Sequence, residues 1–321
     1  MPALTNTQLG LIDAISKNDM PQARKLARIC VADDTSKKNA WDCKRLARAL
    51  DPSLNPQLYD VPIDVKGFIE AELPAESFQV DRYYLSDREL EVFTYIDQMR
   101  SVCEELAGMG IKHPNTTLLY GASGTGKTTF SRYVAAKFDL PFYLVNFSRL
   151  IDSLMGKTSQ NLVKVFDYIK TVPCVFMLDE IDTIAMVRKG GGDGPKGELN
   201  RVVVALMQEF DKLDNSHIII GATNRLDILD PALVRRFSRV HEIVVPKSAK
   251  EATGIVKPLL KAADLSCDEG ELVAFCNGNL GKSQAWFVNA AIDAIIAAIS
   301  CRKQLADLSG GSAAASMGVR V

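Results

Sequence analysis

TTLLYGASGTGKTTF, residues 116–130, is the stretch on which the fold turns. Leu118, Leu119 and Tyr120 read as the end of a buried strand. Gly121-Ala122-Ser123-Gly124-Thr125-Gly126-Lys127-Thr128 then satisfies the phosphate-loop pattern in full. The residue types follow from the chemistry. A loop that wraps phosphate needs glycines so that its backbone can turn tightly and aim N–H groups inward, and the helix behind it points its positive end at the same anion. Lys127 then reaches the β- and γ-phosphates and the Thr128 hydroxyl ligates Mg²⁺, so Gly121 to Thr129 form the expected binding segment for ATP with Mg²⁺. The apolar run before the loop and the helical pattern after it (Arg132, Tyr133, Val134, Ala135, Ala136) supply the strand-loop-helix setting that this mechanism needs.

Further strands follow at regular intervals. Residues 141–146 read as a second strand and 161–171 as a helix. Residues 174–178 read as a buried strand that ends in Asp179 and Glu180. A parallel sheet places its chemistry at such strand ends. Asp179 suits the Mg²⁺ water shell, and Glu180, one residue further out, suits polarisation of the attacking water. After a helix over 198–210, a fourth strand at 217–221 leads to Asn224, whose amide would hold the lytic water or a γ-phosphate oxygen. A short helix at 230–237 carries Arg235 and Arg236, and a fifth strand lies near 240–245. Repeated strand-helix alternation predicts a parallel α/β sheet.

The remainder of the chain is helical or irregular. Leu9, Ile12 and Ile15, then Ala23, Leu26, Ala27 and Cys30, recur at three- and four-residue spacing, which predicts two short helices, with a third over 41–50. Its lysines and arginines form a partner-docking face or a solvated one. Residues 51–84, with four prolines at 52, 56, 62 and 74, read as a linker with one short element at most. A helix opens at Ser86-Asp87-Arg88-Glu89, a capping-box pattern, and runs to about Ala107 before Gly108 and Gly110. Gly190 to Pro195 reads as a mobile loop. From Ser248 to Leu308 the pattern is helical, and 309–321 is small and polar.

Composition narrows the function classes. Lysine plus arginine number 38 against 39 acidic residues, so no global basic field draws the protein to nucleic acid. Seven cysteines without a CxxC pair read as reduced thiols of a cytoplasmic protein. The amino terminus lacks a secretory pattern, and the apolar run over 290–300 is too short to span a bilayer, so no membrane partner is expected.

Taken together these residues resemble the AAA+ ATPases, and within them the AAA clade of proteasomal, FtsH-like and severing enzymes, over residues 85–305. GASGTGKTT resembles Walker A, VFMLDEID resembles Walker B, and GATNRLDILDPALVRRFSR is similar to sensor 1 and the second region of homology. The resemblance implies a P-loop αβα sandwich with a five-stranded parallel sheet over 85–246, a helical lid over 247–308, a helical N-terminal domain over 1–50, the linker over 51–84 and a flexible tail over 309–321. It implies an ATP hydrolase acting as a homo-oligomeric, hexameric ring. In that family arginines of one subunit complete the next subunit's site, which nominates Arg235 and Arg236; here they are adjacent, where the family has a Pro-Gly spacer. Lys282 stands where a sensor 2 cation would touch the γ-phosphate, or is a surface lysine. Asn146 would restrain Glu180. Ser153-Leu154-Met155-Gly156 occupies the pore-loop place without the usual aromatic. Two readings follow: a ring that remodels a protein partner recruited by residues 1–50, or a nucleotide-driven assembly switch that threads nothing.

Overall fold

The computed structural model describes residues 5–16, 20–34, 61–73, 78–147, 150, 158–183 and 195–300. Helices α1 (Asn6–Ser16) and α2 (Met20–Asp33) pack against each other as the first two predicted N-terminal helices. The single turn α3 (Ile63–Lys66) precedes strand β1 (Ile69–Glu72). Then come α4 (Asp87–Ser101), α5 (Cys103–Gly108), β2 (Asn115–Tyr120), α6 (Lys127–Phe138), β3 (Phe142–Asn146), α7 (Thr158–Ile169) and β4 (Val175–Asp179). They are followed by α8 (Pro195–Lys212), β5 (Ile218–Thr223), α9 (Pro231–Val234), β6 (Arg239–Glu242), α10 (Ala249–Ala262), α11 (Glu269–Gly278) and α12 (Gln284–Ser300).

The six strands form one sheet in the order β1-β3-β4-β5-β2-β6, in which every pairing is parallel except β1 with β3. The period-two alternation of strand side chains divides the apolar residues between two faces. Leu118, Tyr143, Phe176 and Ile219 pack under α7 and α8, whereas Leu119, Phe142, Met177 and Ile220 pack under α4 and α6. Both faces are covered, as the unbroken apolar runs require. This is the α/β sandwich expected. The order also brings the carboxyl ends of β2, β4 and β5 side by side, and so gathers residues more than 100 positions apart in the chain.

The fold differs from expectation in two places. The short element within 51–84 is a sixth strand: Ile69 is buried against the core while Glu72 faces Arg132 of α6, which binds it through two bonds of 2.7 and 2.9 Å. Val61 and Val65 join the same core. Four residues among many prolines carry too little period-two signal to be read as a strand, and an edge position needs only one pairing partner. Glu72→Ala is expected to lower stability by about 0.5–1 kcal/mol, since the pair is partly solvated; a urea midpoint measures it.

The second difference is at α4, whose start follows the expected capping box: the Ser86 hydroxyl accepts from Glu89 N–H and Glu89 returns a bond to Ser86 N–H. The helix breaks at Val102 (φ −107°, ψ 7°) instead of continuing to 107. Ser101 Oγ bonds back to the Gln98 carbonyl at 2.8 Å, a local bond that competes with the helical ladder. The third N-terminal helix, the loop at 190–194, the pore-loop stretch at 153–156 and everything beyond 300 lie outside the described residues, as does the Asn146 side chain.

The carboxyl-terminal helices form a separate small core. Ala252, Val256 and Leu260 of α10, Leu272 and Cys276 of α11, and Phe287, Ala291 and Ala294 of α12 are buried together. Tyr84 reaches over from the segment before α4, and its ring lies so close to Gly254 of α10 that any larger residue there would overlap it.

Candidate active site

The phosphate loop leaves β2 through backbone that only glycine adopts comfortably. Gly121, Gly124 and Gly126 have φ of 148°, 75° and 101°. At Gly126 a Cβ would also overlap the Gln284 side chain. Gly126→Ala is therefore expected to destabilise the fold by about 1–3 kcal/mol from backbone strain, read as a shift in thermal or chemical unfolding.

Lys127, buried at the start of α6, has an ordered ammonium. It donates to the carbonyls of Gly121 (2.9 Å) and Ala122 (3.0 Å) and to Oδ1 of Asn224 (2.8 Å). Burial lowers its pKa, and the carboxylates of Asp179 and Asp182 act against that shift. Next to it, Thr128 Oγ1 donates to Asp179 Oδ2 at 3.1 Å, so the two residues nominated for Mg²⁺ lie side by side. A hydroxyl and a carboxylate are hard oxygen donors, and Mg²⁺ takes few protein ligands beside water and phosphate; these residues fit the ion. Asp179 also accepts from the N–H of Glu180 (2.9 Å) through its other oxygen. Glu180 turns out of the strand with φ 53° and its side chain is exposed. Asn224 is held at the tip of β5, where the Arg225 N–H donates to the Thr223 hydroxyl (2.9 Å) and closes a turn.

Ser123, Gly124, Gly126 to Thr129, Asp179, Glu180 and Asn224 face one cavity of about 430 Å³, with Gln284, Ala285, Val288 and Asn289 of α12 as its far wall. Gly121 and Ala122 do not line it; their carbonyls hold Lys127. Thr125 turns away, its hydroxyl donating to Ala122 O (2.9 Å). Two loop glycines, a lysine, a threonine-aspartate pair, an exposed carboxylate and an amide thus share one space. Residues 117–245, which contain all of them but Gln284 and its neighbours, match the profile of the family described as "ATPase family associated with various cellular activities (AAA)".

Residues 117–245 form a domain of the AAA family of ATPases.

Similar proteins include peroxisomal ATPase pex6 of Schizosaccharomyces pombe, 32% identical over 64% of this chain and 22% of that protein. A 26S proteasome regulatory subunit 10B homolog A of Arabidopsis thaliana is 39% identical over 43% of this chain and 36% of that protein. The ATP-dependent zinc metalloprotease FtsH 1 of Thermomicrobium roseum is 38% identical over 42% and 22%. The chain thus spans well under half the length of these relatives.

The two adjacent arginines of the AAA domain part company. The short α9 starts at a proline capped by Asp230, whose carboxylate accepts from Ala232 N–H (2.8 Å). Arg236 is held by both oxygens of Asp211 on α8 (3.2 and 3.0 Å) and by the Ala232 carbonyl (2.8 Å). Arg235 is exposed, and its guanidinium meets no hydrogen-bond or ion-pair partner among the described residues. Neither arginine lines the cavity of its own chain.

Lys282 is not brought to the cavity. Its ammonium sits 5.9 Å from the centre of the Trp286 ring, where the attraction of a cation for an aromatic face suits it. Gln284, two residues on, takes the cavity wall instead. Sequence reasoning missed Gln284. The available signal was a capping pattern: Ser283 precedes a long apolar helix, and its hydroxyl accepts from Trp286 N–H (3.2 Å).

Proposed function

We propose that this protein binds ATP with Mg²⁺ and hydrolyses it to ADP and phosphate, as a homo-oligomeric ring of the hexameric type, to remodel a protein partner in the cytoplasm. The observation that carries the reading is the convergence of Lys127, Thr128, Asp179, Glu180 and Asn224 on a single cavity that Gly124 and Gly126 of the loop also line. In this reading the loop amides from Gly121 to Thr129 and the Lys127 ammonium hold the β- and γ-phosphates, and Lys127 exchanges its carbonyl partners for phosphate oxygens. Thr128 and Asp179 hold the metal, which when bound neutralises charge on those oxygens. Glu180 orients and deprotonates the attacking water, and Asn224 fixes the water or a γ-phosphate oxygen.

Arg235 is the guanidinium that reaches into the neighbouring copy, because it alone of the adjacent pair is free to do so. Arg236 holds α9 in place. Remodelling of a protein is supported by the kinship with AAA proteins named for peroxisomal, proteasomal and proteolytic roles. Recruitment through residues 1–50 rests on the packed helix pair α1 and α2 within them. Among the described residues no helix is long and apolar enough to cross a membrane.

Equilibrium binding tests the reading directly. The protein should take up ATP only with its loop intact, and Lys127→Ala should weaken that uptake by at least about tenfold, or 1.4 kcal/mol. Failure of the unmodified protein to bind any nucleotide with magnesium would refute it.

A further inference from the structure

Gln284 opens the long helix α12 and meets the phosphate loop head on. Its carboxamide lies against Gly126 so closely that the loop residue has no room for a side chain. Its neighbours hold it there. The Ala285 N–H donates to the Gly124 carbonyl at 3.0 Å, and Ser283 Oγ stands 3.2 Å from where a Cβ on Gly124 would lie. The carboxamide itself makes no hydrogen bond among the described residues, so turning it aside breaks none there.

Two cavities meet at this side chain. One is the space of about 430 Å³ in front of Lys127. The other, of about 170 Å³, lies between the segment before α4, the end of β6 and α10, with Tyr84, Thr125, Ile243 and Ile255 in its wall. Gln284 is the residue that faces both. The smaller cavity has an aromatic ring and two isoleucines beside polar groups, a wall suited to a planar heteroaromatic group.

We propose that Gln284 is a gate between these cavities: a ligand that keeps its phosphates at Lys127 and extends past Gly126 into the smaller cavity must turn the carboxamide aside. This rests on the reading of the larger cavity as a phosphate site. The side chain stems from the first turn of α12, so its displacement also bears on how the carboxyl-terminal helices sit on the loop. A bare polyphosphate is held in the larger cavity alone and leaves the gate where it is.

Calorimetric titration of the full chain with Mg-ATP and with inorganic tripolyphosphate, for the unmodified protein, Gln284→Ala and Gln284→Met, separates the possibilities. Gln284→Ala is expected to bind ATP about three- to tenfold more tightly, the factor that follows if the open rotamer is populated at roughly 10–30%. Its affinity for tripolyphosphate should be unchanged. Gln284→Met keeps the length of the side chain and should stay within about twofold of the unmodified protein for both ligands. An ATP affinity that is unchanged or weakened in Gln284→Ala overturns the gate, as does an equal change for the two ligands, which would place the effect in the phosphate loop. If the unmodified protein takes up neither ligand, the phosphate-site reading itself falls; if it takes up both and the alanine variant alters neither, the gate alone falls.

Discussion

ATP turnover by Glu180→Gln is expected to fall about 10²- to 10⁴-fold, the usual contribution of a general base, with ATP affinity close to that of the unmodified protein. The separation follows from where the residue sits. Its carboxylate is exposed at the cavity, whereas the groups that would grip the phosphates belong to the loop and to Lys127. The amide of Glu180, which donates to Asp179 at 2.9 Å, is main chain and survives the substitution, so Asp179 keeps its orientation. The left-handed backbone at this position, φ 53°, is costly for a residue with a Cβ and is equally costly for glutamine, so stability should not change. Single-turnover phosphate release and equilibrium binding measure the two halves of the expectation. Turnover within a few-fold of the unmodified enzyme would remove Glu180 from the role of base. With turnover stalled and ATP held, the same variant is also the natural bait for a protein partner.

Arg235→Ala should reduce kcat by about 10³-fold or more, the range found when a guanidinium that stabilises the transferring phosphoryl group is withdrawn. The loss should be repairable in trans. Mixing Arg235→Ala with Lys127→Ala restores neighbouring pairs in which one copy has an intact loop and the other an intact arginine, and activity should return in part. Absence of rescue, with both variants shown to co-assemble, would place Arg235 in its own chain's chemistry or outside it. Arg236→Ala is expected to behave differently. It removes a forked ion pair with Asp211 and a bond to the Ala232 carbonyl. The ion pair is partly solvated and contributes about 0.5–1 kcal/mol, so the expected result is a modest loss of stability. A catalytic collapse in Arg236→Ala with stability intact would reverse the two assignments.

Much of this site was readable without coordinates because its parts are set by local geometry. Lys127 and Thr128 follow a glycine loop at fixed intervals, and Asp179 and Glu180 terminate an apolar run. A parallel sheet carries each strand end to the same edge, so order along the chain is enough to assemble them. The adjacent arginines are the opposite case. As letters they are equivalent, and what separates them is Asp211, 25 residues earlier in the chain, which packing places against one guanidinium and not the other.

β1 escaped notice for a related reason. Four residues among prolines become a strand only when an exposed edge of β3 and the guanidinium of Arg132 are there to receive them. From the residues alone came the sandwich, the phosphate loop, the acids at the end of β4 and the amide at the end of β5, since each depends on chain neighbours and on periodicity. The placing of Gln284 over Gly126 and the release of Arg235 were decided by how helices dock. Docking depends on contacts between distant segments, which no local pattern encodes.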